Sequence, residues 1–283
     1  MNRKRGSWIY VVLGIMLFSL ITVSALPIVG SVIDGKQVSS NPDAEVVTLS
    51  AQELSKLEAE ASGYEKVLAR EPDNETALTG LLQIRLQQKD LKAAIAPLGK
   101  LAQLHPEVTE YGALLAQAKL EIEDYEGAAA AYNSVLAEYP GDIYALSGIS
   151  NLYLIQDLPE RAIALLKRTI KLASNRDNAL GAAIDRAAVE LLLGEIYTKG
   201  NRYDEALEVY RSLAQENDTD FRPVLAQALV LEQKGDFKAA QPILEQAYVA
   251  APEKYKDQIG DEMARLIPKI KAAKAESATE IEE

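Results

Sequence analysis

Residues 123–140 read EDYEGAAAAYNSVLAEYP, with Tyr125, Ala128, Tyr132 and Val135 spaced by three and four and Pro140 at the close. That spacing puts all four side chains on one face of a helix. The same order returns at 201–218 as Tyr203, Ala206, Tyr210 and Leu213, and at 235–252 as Phe237, Ala240, Leu244 and Ala247. Alanines 94, 128, 162, 206 and 240 are separated by steps of 34, 34, 44 and 34, and Pro72, Pro106 and Pro140 by steps of 34. A buried stripe recurring at this interval predicts pairs of helices, each joined by a turn such as Gly235–Asp236. The alanine is small because the paired helices cross there. Proline ends a unit because it cannot continue a helix, and Asp218 holds that place in the fourth copy. A lone helix is predicted over 51–70, opened by a capping box of Ser50 and Glu53. A last amphipathic helix is predicted over 254–274, with Tyr255, Ile259, Met263, Leu266 and Ile270 on one face.

The five in-phase copies, at 75–108, 109–142, 143–176, 187–220 and 221–254, resemble the tetratricopeptide repeat. The resemblance covers residues 75–252. It implies an all-α fold, a right-handed α-solenoid over 51–274 in which the first helix of each repeat lines a concave groove. Such grooves commonly bind extended peptides or helices. The helix at 254–274 would cap the stack, since an end repeat otherwise exposes apolar surface. The chain departs from the family pattern in two ways. Leu78, Gly112, Leu146, Glu190 and Val224 stand where the family has an early tryptophan, and Leu82 replaces a small residue in the first repeat. The step of 44 places ten extra residues, about 175–184, before the fourth copy. They read either as a tolerated loop insertion or as an extension of the next helix by two or three turns, projecting as a contact platform.

Ahead of the repeats, residues 1–7 are basic and an uncharged apolar run extends from Trp8 to Val29. As a helix, Trp8 to Leu26 would be roughly 28 Å long, enough to span a bilayer core. Arg3, Lys4 and Arg5 would then keep the N-terminus cytoplasmic and place the repeats on the periplasmic or lumenal side. The alternative is a signal peptide cleaved after Ala25 of VSA, with the domain secreted. Residues 30–50 read as a flexible linker and 275–283 as a disordered acidic tail. With one N-terminal span, the stretches 72–106 and 220–244 resemble membrane-associated repeat proteins of cyanobacteria and the plastid protein Slow Green. That narrower resemblance implies a scaffolding role in thylakoid or chloroplast biogenesis.

Composition narrows the chemistry. The absence of cysteine removes disulfides, thiolate metal sites and cysteine nucleophiles, and a single histidine leaves little for imidazole chemistry. The net charge is −12, and residues 1–33 carry three bases and no acid, so the remainder is about −15 and repels nucleic acid. APLGK (96–100) lacks the upstream glycine of a phosphate loop, because Ala94 stands there. No HExxH, GxSxG or EF-hand spacing occurs, and the paired carboxylates Glu121–Glu123 and Asp204–Glu205 read as exposed helix starts. His105 before Pro106 reads as a helix C-terminal residue. The expectation is a non-enzyme without cofactor or metal, whose partners are proteins, and whose oligomeric state stays open.

Candidate contacts therefore lie along the first helices. Position nine of successive repeats is Gln83, Gln117, Asn151 and Glu195. Three amides in register would form a ladder, each offering donor and acceptor to a peptide backbone. One turn on lie Gln87, Glu121 and Lys199, while Tyr144 and Arg222, from the starts of their helices, would add an aromatic anchor and a charge. The lysine, asparagine and arginine of the carboxylate-clamp form of the fold are missing, since Thr79, Gln83, Ala113, Gln117, Leu120 and Glu121 occupy those places. The reading is a membrane-anchored scaffold or adaptor that holds clients in its groove and assists assembly of a membrane complex. The alternative is a self-assembling or non-catalytic subunit of an envelope enzyme or transport complex.

Overall fold

The computed structural model describes residues 50–175, 181 and 183–279, with side chains described through 272. Among these residues there are twelve helices and no strand. They are α1 (Ala51–Leu68), α2 (Glu75–Gln87), α3 (Leu91–Leu104), α4 (Thr109–Glu121), α5 (Tyr125–Glu138) and α6 (Ile143–Ile155). There follow α7 (Pro159–Ala173), α8 (Arg186–Lys199), α9 (Tyr203–Glu216), α10 (Phe221–Gln233), α11 (Phe237–Ala250) and α12 (Glu253–Thr279). The helices fall into two compact units, α1–α9 and α10–α12. In the first unit each helix packs on the next, and the first helices α4, α6 and α8 also pack on one another. In the second, α11 lies against both α10 and α12.

The predicted pairing is present in all five copies. The crossing alanines Ala94, Ala128, Ala162 and Ala206 are 0% exposed and Ala240 is 1% exposed. Position eight of the facing helix holds Ala116, Ser150, Gly194 and Ala228, all buried, with Leu82 in the first repeat. Tyrosine rings fill the space that small residues leave. A methyl group built on Gly80 would overlap the Tyr64 ring, one on Gly148 the Tyr132 ring, and one on Gly194 the Tyr210 ring. Burial pushes the Tyr132 phenol up to about 12.

Both ends of the first helices have a repeated local cause. Asn74, Asp142 and Asp185 accept the backbone N–H three residues on, at 3.0, 2.8 and 3.1 Å, satisfying a donor that the helix itself cannot. The C-terminal turns all close in one way. Asp90, Asp124, Leu158, Arg202 and Asp236 each donate a backbone N–H to the carbonyl five residues back, at 2.8–2.9 Å. The residue before each is left-handed: Lys89, Glu123, Asp157, Asn201 and Gly235. This is the turn that glycine favours, yet glycine supplies it in one repeat of five.

The lone helix at 51–70 forms as α1, with Ser50 and Glu53 making both capping-box bonds. The last amphipathic helix forms as α12, with Ile259 and Leu266 1% exposed in one core with Leu225, Leu229 and Leu244. Tyr255 meets Phe221 at 5.1 Å between ring centres, and Lys269 reaches Glu232. The structure corrects the reading of residues 175–184 as a helix extension. Asp185 caps α8 in an extended backbone conformation, so the helix starts at Arg186, one residue before the fourth repeat at 187–220. The preceding Ile184 is buried and lies where a side chain on Gly141 would point.

Among the described residues no helix is long and apolar enough to cross a membrane. Residues 1–29 and the linker over 30–50, apart from Ser50, lie outside the described residues; of the tail expected over 275–283 to be disordered, residues 275–279 continue α12 and 280–283 lie outside the described residues.

Two stability predictions follow from the turns and crossings. Lys89→Gly should raise stability by about 0.5–1 kcal/mol and Gly235→Ala should lower it by about 1 kcal/mol, in urea unfolding followed by circular dichroism. Equal losses for both would contradict the left-handed turn. Ser150 is 0% exposed and its Oγ has no hydrogen-bond partner among the described residues. Ser150→Ala should therefore stabilise by about 1 kcal/mol, whereas Ser150→Leu should force the helices apart and destabilise by about 1–3 kcal/mol. A destabilising alanine would show that the hydroxyl is bonded in solution.

Candidate protein-binding face

The first helices of repeats one to four carry eight of the nine candidate residues: Gln83 and Gln87 on α2, Gln117 and Glu121 on α4, Tyr144 and Asn151 on α6, Glu195 and Lys199 on α8. The ninth, Arg222, lies on α10 in the other unit. The rung residues Gln83, Gln117, Asn151 and Glu195 are all half-buried. They differ in how they are satisfied. Lys199 Nζ donates to Asn151 Oδ1 at 2.9 Å and pairs with Glu195 at 2.7 Å, so the third and fourth rungs are clasped together. Gln117 Oε1 is buried with no donor among the described residues.

Arg222, expected to add a charge to the groove, is held by the cap of its own helix. Its Nε lies 2.9 Å from Asp220 Oδ1 and its Nη2 2.7 Å from Oδ2, while Asp220 Oδ1 also accepts the Arg222 backbone N–H at 3.0 Å. Burial opposes ionisation of Asp220, but the Arg222 hydrogen bonds overrule it and hold the carboxyl below its ordinary value. Tyr144 is 43% exposed, as an anchor would need to be. Sequence reasoning passed over Ile155, which is 63% exposed at the end of α6, in the row of Gln87, Glu121 and Lys199. Its signal was an aliphatic residue at a position otherwise polar.

Other charged groups serve the scaffold. Arg85 is 8% exposed and forks from α2 to α1, meeting Glu58 at 2.6 Å and Glu65 at 2.7 Å. The bond to Glu58 raises the Arg85 pKa and, with Gln88 assisting, lowers that of Glu58. Arg202 Nη1 reaches Glu160 at 2.7 Å, its Nε reaches Glu205 at 2.8 Å, and its guanidinium lies 4.7 Å from the Tyr197 ring centre. His105 is the C-cap of α3, with Glu75 at 3.3 Å and Glu107 at 3.4 Å. The carboxylate pair Glu121–Glu123 is not at a helix start: Glu121 ends α4 and Glu123 is the left-handed residue after it. Asp204 and Glu205 do lie in the first turn of α9.

A cleft of about 680 Å³ adjoins the insertion, lined by Ser174, Ile184, Arg186, Glu190 and Glu216. Arg186 bridges Glu190 at 2.8 Å and Glu216 at 3.3 Å, and burial pushes Glu190 up. No group of three metal-ligating side chains occurs among the described residues.

Two tetratricopeptide-repeat family models match, one over residues 52–108 and 114–177 and the other over 191–223. Together they cover more than half of the sequence. The chain belongs to the tetratricopeptide-repeat family. No curated protein matches it. Among solved structures it is similar to a tetratricopeptide repeat protein from Parabacteroides merdae, at 19% identity and a TM-score of 0.46, over 78% of this chain and 87% of that one. It is similar to yeast Tom70 at 13% identity and a TM-score of 0.51, over 84% of this chain and 48% of Tom70. It is also similar to YrrB, described as a TPR protein with an unusual peptide-binding site, at 13% identity and a TM-score of 0.38, over 71% of this chain and 99% of that one. At these identities the likeness establishes the repeat fold and nothing narrower.

The pKa shifts within this unit have opposite signs for stability. Glu58 is depressed, so the stability it contributes is present above the unfolded carboxylate value, about 4, and is lost as pH falls. Glu190 is raised, so its contribution is present below its unfolded value and lost as pH rises through the folded one. Glu58→Gln should lower the urea midpoint at neutral pH and converge with wild type as pH falls below the ordinary carboxylate range. Glu190→Gln should gain on wild type at neutral pH. A Glu58→Gln deficit that persists in acid would contradict the assigned pairing.

Proposed function

We propose that this tetratricopeptide-repeat chain is a scaffold or adaptor that binds protein clients along the first helices of repeats one to four, catalysing no reaction on them. The observation that carries the reading is the row of half-buried amides Gln83, Gln117 and Asn151 flanked by exposed Tyr144 and Ile155. An amide row pairs with peptide backbone of any sequence, and exposed apolar residues beside it supply burial on binding. The net charge of −12 points to protein rather than nucleic acid.

The apolar run Trp8–Val29 anchors the chain, with the repeats on the periplasmic or lumenal side. If the segment is instead cleaved after Ala25, the repeats act as a secreted domain. The client is a subunit of an assembling thylakoid or envelope complex. That narrower step rests on the sequence resemblance to cyanobacterial and plastid repeat proteins. A second reading, self-association, is favoured by Val249 and Ile267 in the second unit, which are 80% and 51% exposed.

Proximity labelling in native membranes tests the first reading. Wild type is compared with the triple variant Gln83→Ala, Gln117→Ala, Asn151→Ala at matched helicity and abundance. Loss of a defined set of subunits from the variant is the expected result. An unchanged set would mean that the amides are ordinary solvated surface. Alkaline extraction of the same membranes should leave the full chain in the pellet; release into the supernatant would contradict the anchor.

A further inference from the structure

The clasp between Lys199 and Asn151 fixes the register of neighbouring first helices. Lys199 stands four residues after the rung residue Glu195 on α8 and donates to the rung residue Asn151 on α6. Helices α4 and α6 pack side by side as α6 and α8 do. One repeat back, the residue four after the rung Asn151 is Ile155, and the rung it addresses is Gln117. Isoleucine has no donor to offer. Accordingly Asn151 Oδ1 is bonded while Gln117 Oε1 is buried and unpartnered. The adjacent helices α4 and α6 thus hold two mismatches: a polar atom shut in without a hydrogen bond among the described residues and an aliphatic side chain 63% exposed. Natural sequences break local rules of this kind where a site has work to do. One ligand relieves both, by donating an N–H to a reoriented Gln117 amide and laying an apolar side chain on Ile155.

Charge fixes the rest of the ligand. The two cations among the candidate residues are already held, Lys199 by Glu195 and Arg222 by Asp220. Glu121, in the row of Ile155 one repeat back, is exposed and has no ion pair among the described residues. An anionic ligand would meet no unengaged positive group in this row, whereas a cationic one would meet Glu121.

Resting on the reading of the first helices as the client-binding face, we propose that Gln117, Ile155 and Glu121 determine its specificity. The occupant is an extended peptide segment of a partner protein, bearing an aliphatic side chain with a lysine or arginine close by. Extended backbone suits the site because it presents N–H groups free of internal hydrogen bonds and side chains on the same face every second residue.

The test uses the full chain in mild detergent and three fluorescein-labelled decapeptides of Gly and Ser. One carries leucine with lysine two residues on, one leucine with glutamate, and one lysine alone. Fluorescence anisotropy should show the leucine–lysine peptide binding about tenfold more tightly than either of the others. Ile155→Ser and Gln117→Leu should each weaken that binding by about fivefold or more. Glu121→Gln should weaken it and flatten its salt dependence, whereas Glu208→Gln, which removes the same charge from exposed α9 surface, should leave it unchanged.

Equal binding of the leucine–glutamate peptide would overturn the proposal, as would an unchanged Kd in Ile155→Ser. If the triple amide variant still abolished binding in that case, the face would remain the client site with a different specificity. If no peptide bound and the triple variant labelled the same clients as wild type, the face itself would be excluded, and the proposal with it.

Discussion

Each of the five repeats' helix pairs among the described residues closes on a buried alanine of its second helix, and the rest of the structure depends on that crossing. Ala94, Ala128, Ala162 and Ala206 are wholly buried there, and Ala240 nearly so. Close approach of two backbones holds their register more firmly than contact between long, adaptable side chains would. That register then propagates. It sets where each tyrosine ring lands on a facing glycine, and where each first helix lies beside the next. Because the first helices are in register, residues four positions after one rung reach the previous rung, which lets Lys199 bond Asn151. The spacing of the candidate row is thus a consequence of core packing rather than a separate device.

Much of this was legible in the sequence because the period is carried by residues whose size has no substitute. A crossing alanine and a terminating proline recur at a fixed step, and a period is visible even where individual positions drift. The cap at Ser50 and the closing amphipathic helix were legible for similar reasons, since each combines a residue type with a spacing that few other structures require. The C-terminal turns were less so. Four of the five left-handed residues are Lys89, Glu123, Asp157 and Asn201 rather than glycine; asparagine and aspartate tolerate that backbone shape, but lysine and glutamate do not signal it.

The candidate face was half legible. Repeat arithmetic placed Gln83, Gln117 and Asn151 on adjacent helices, but it could not show which would find internal partners. Satisfaction depends on partners that a single helix does not reveal: Lys199 on the next first helix bonds Asn151, while Gln117 Oε1 is buried without a partner among the described residues. Arg222 has a partner the repeat arithmetic did not show: two residues before it stands an acid at a helix cap, and the short fork between them closes within one turn. The insertion before α8 was ambiguous because helix-forming residues run through it. The cap at Asp185 settles where that helix starts.

The proposed client-binding surface is the first helices and not the second helices. Site-specific photo-crosslinking in the native host tests this most directly. A benzophenone side chain is placed in turn at Gln83 and Asn151 on first helices and at Asn133 and Glu208 on second helices. Discrete crosslinked partners from the first pair and none from the second is the result the account predicts. Equal crosslinking from both pairs, or partners from the second pair alone, would contradict it.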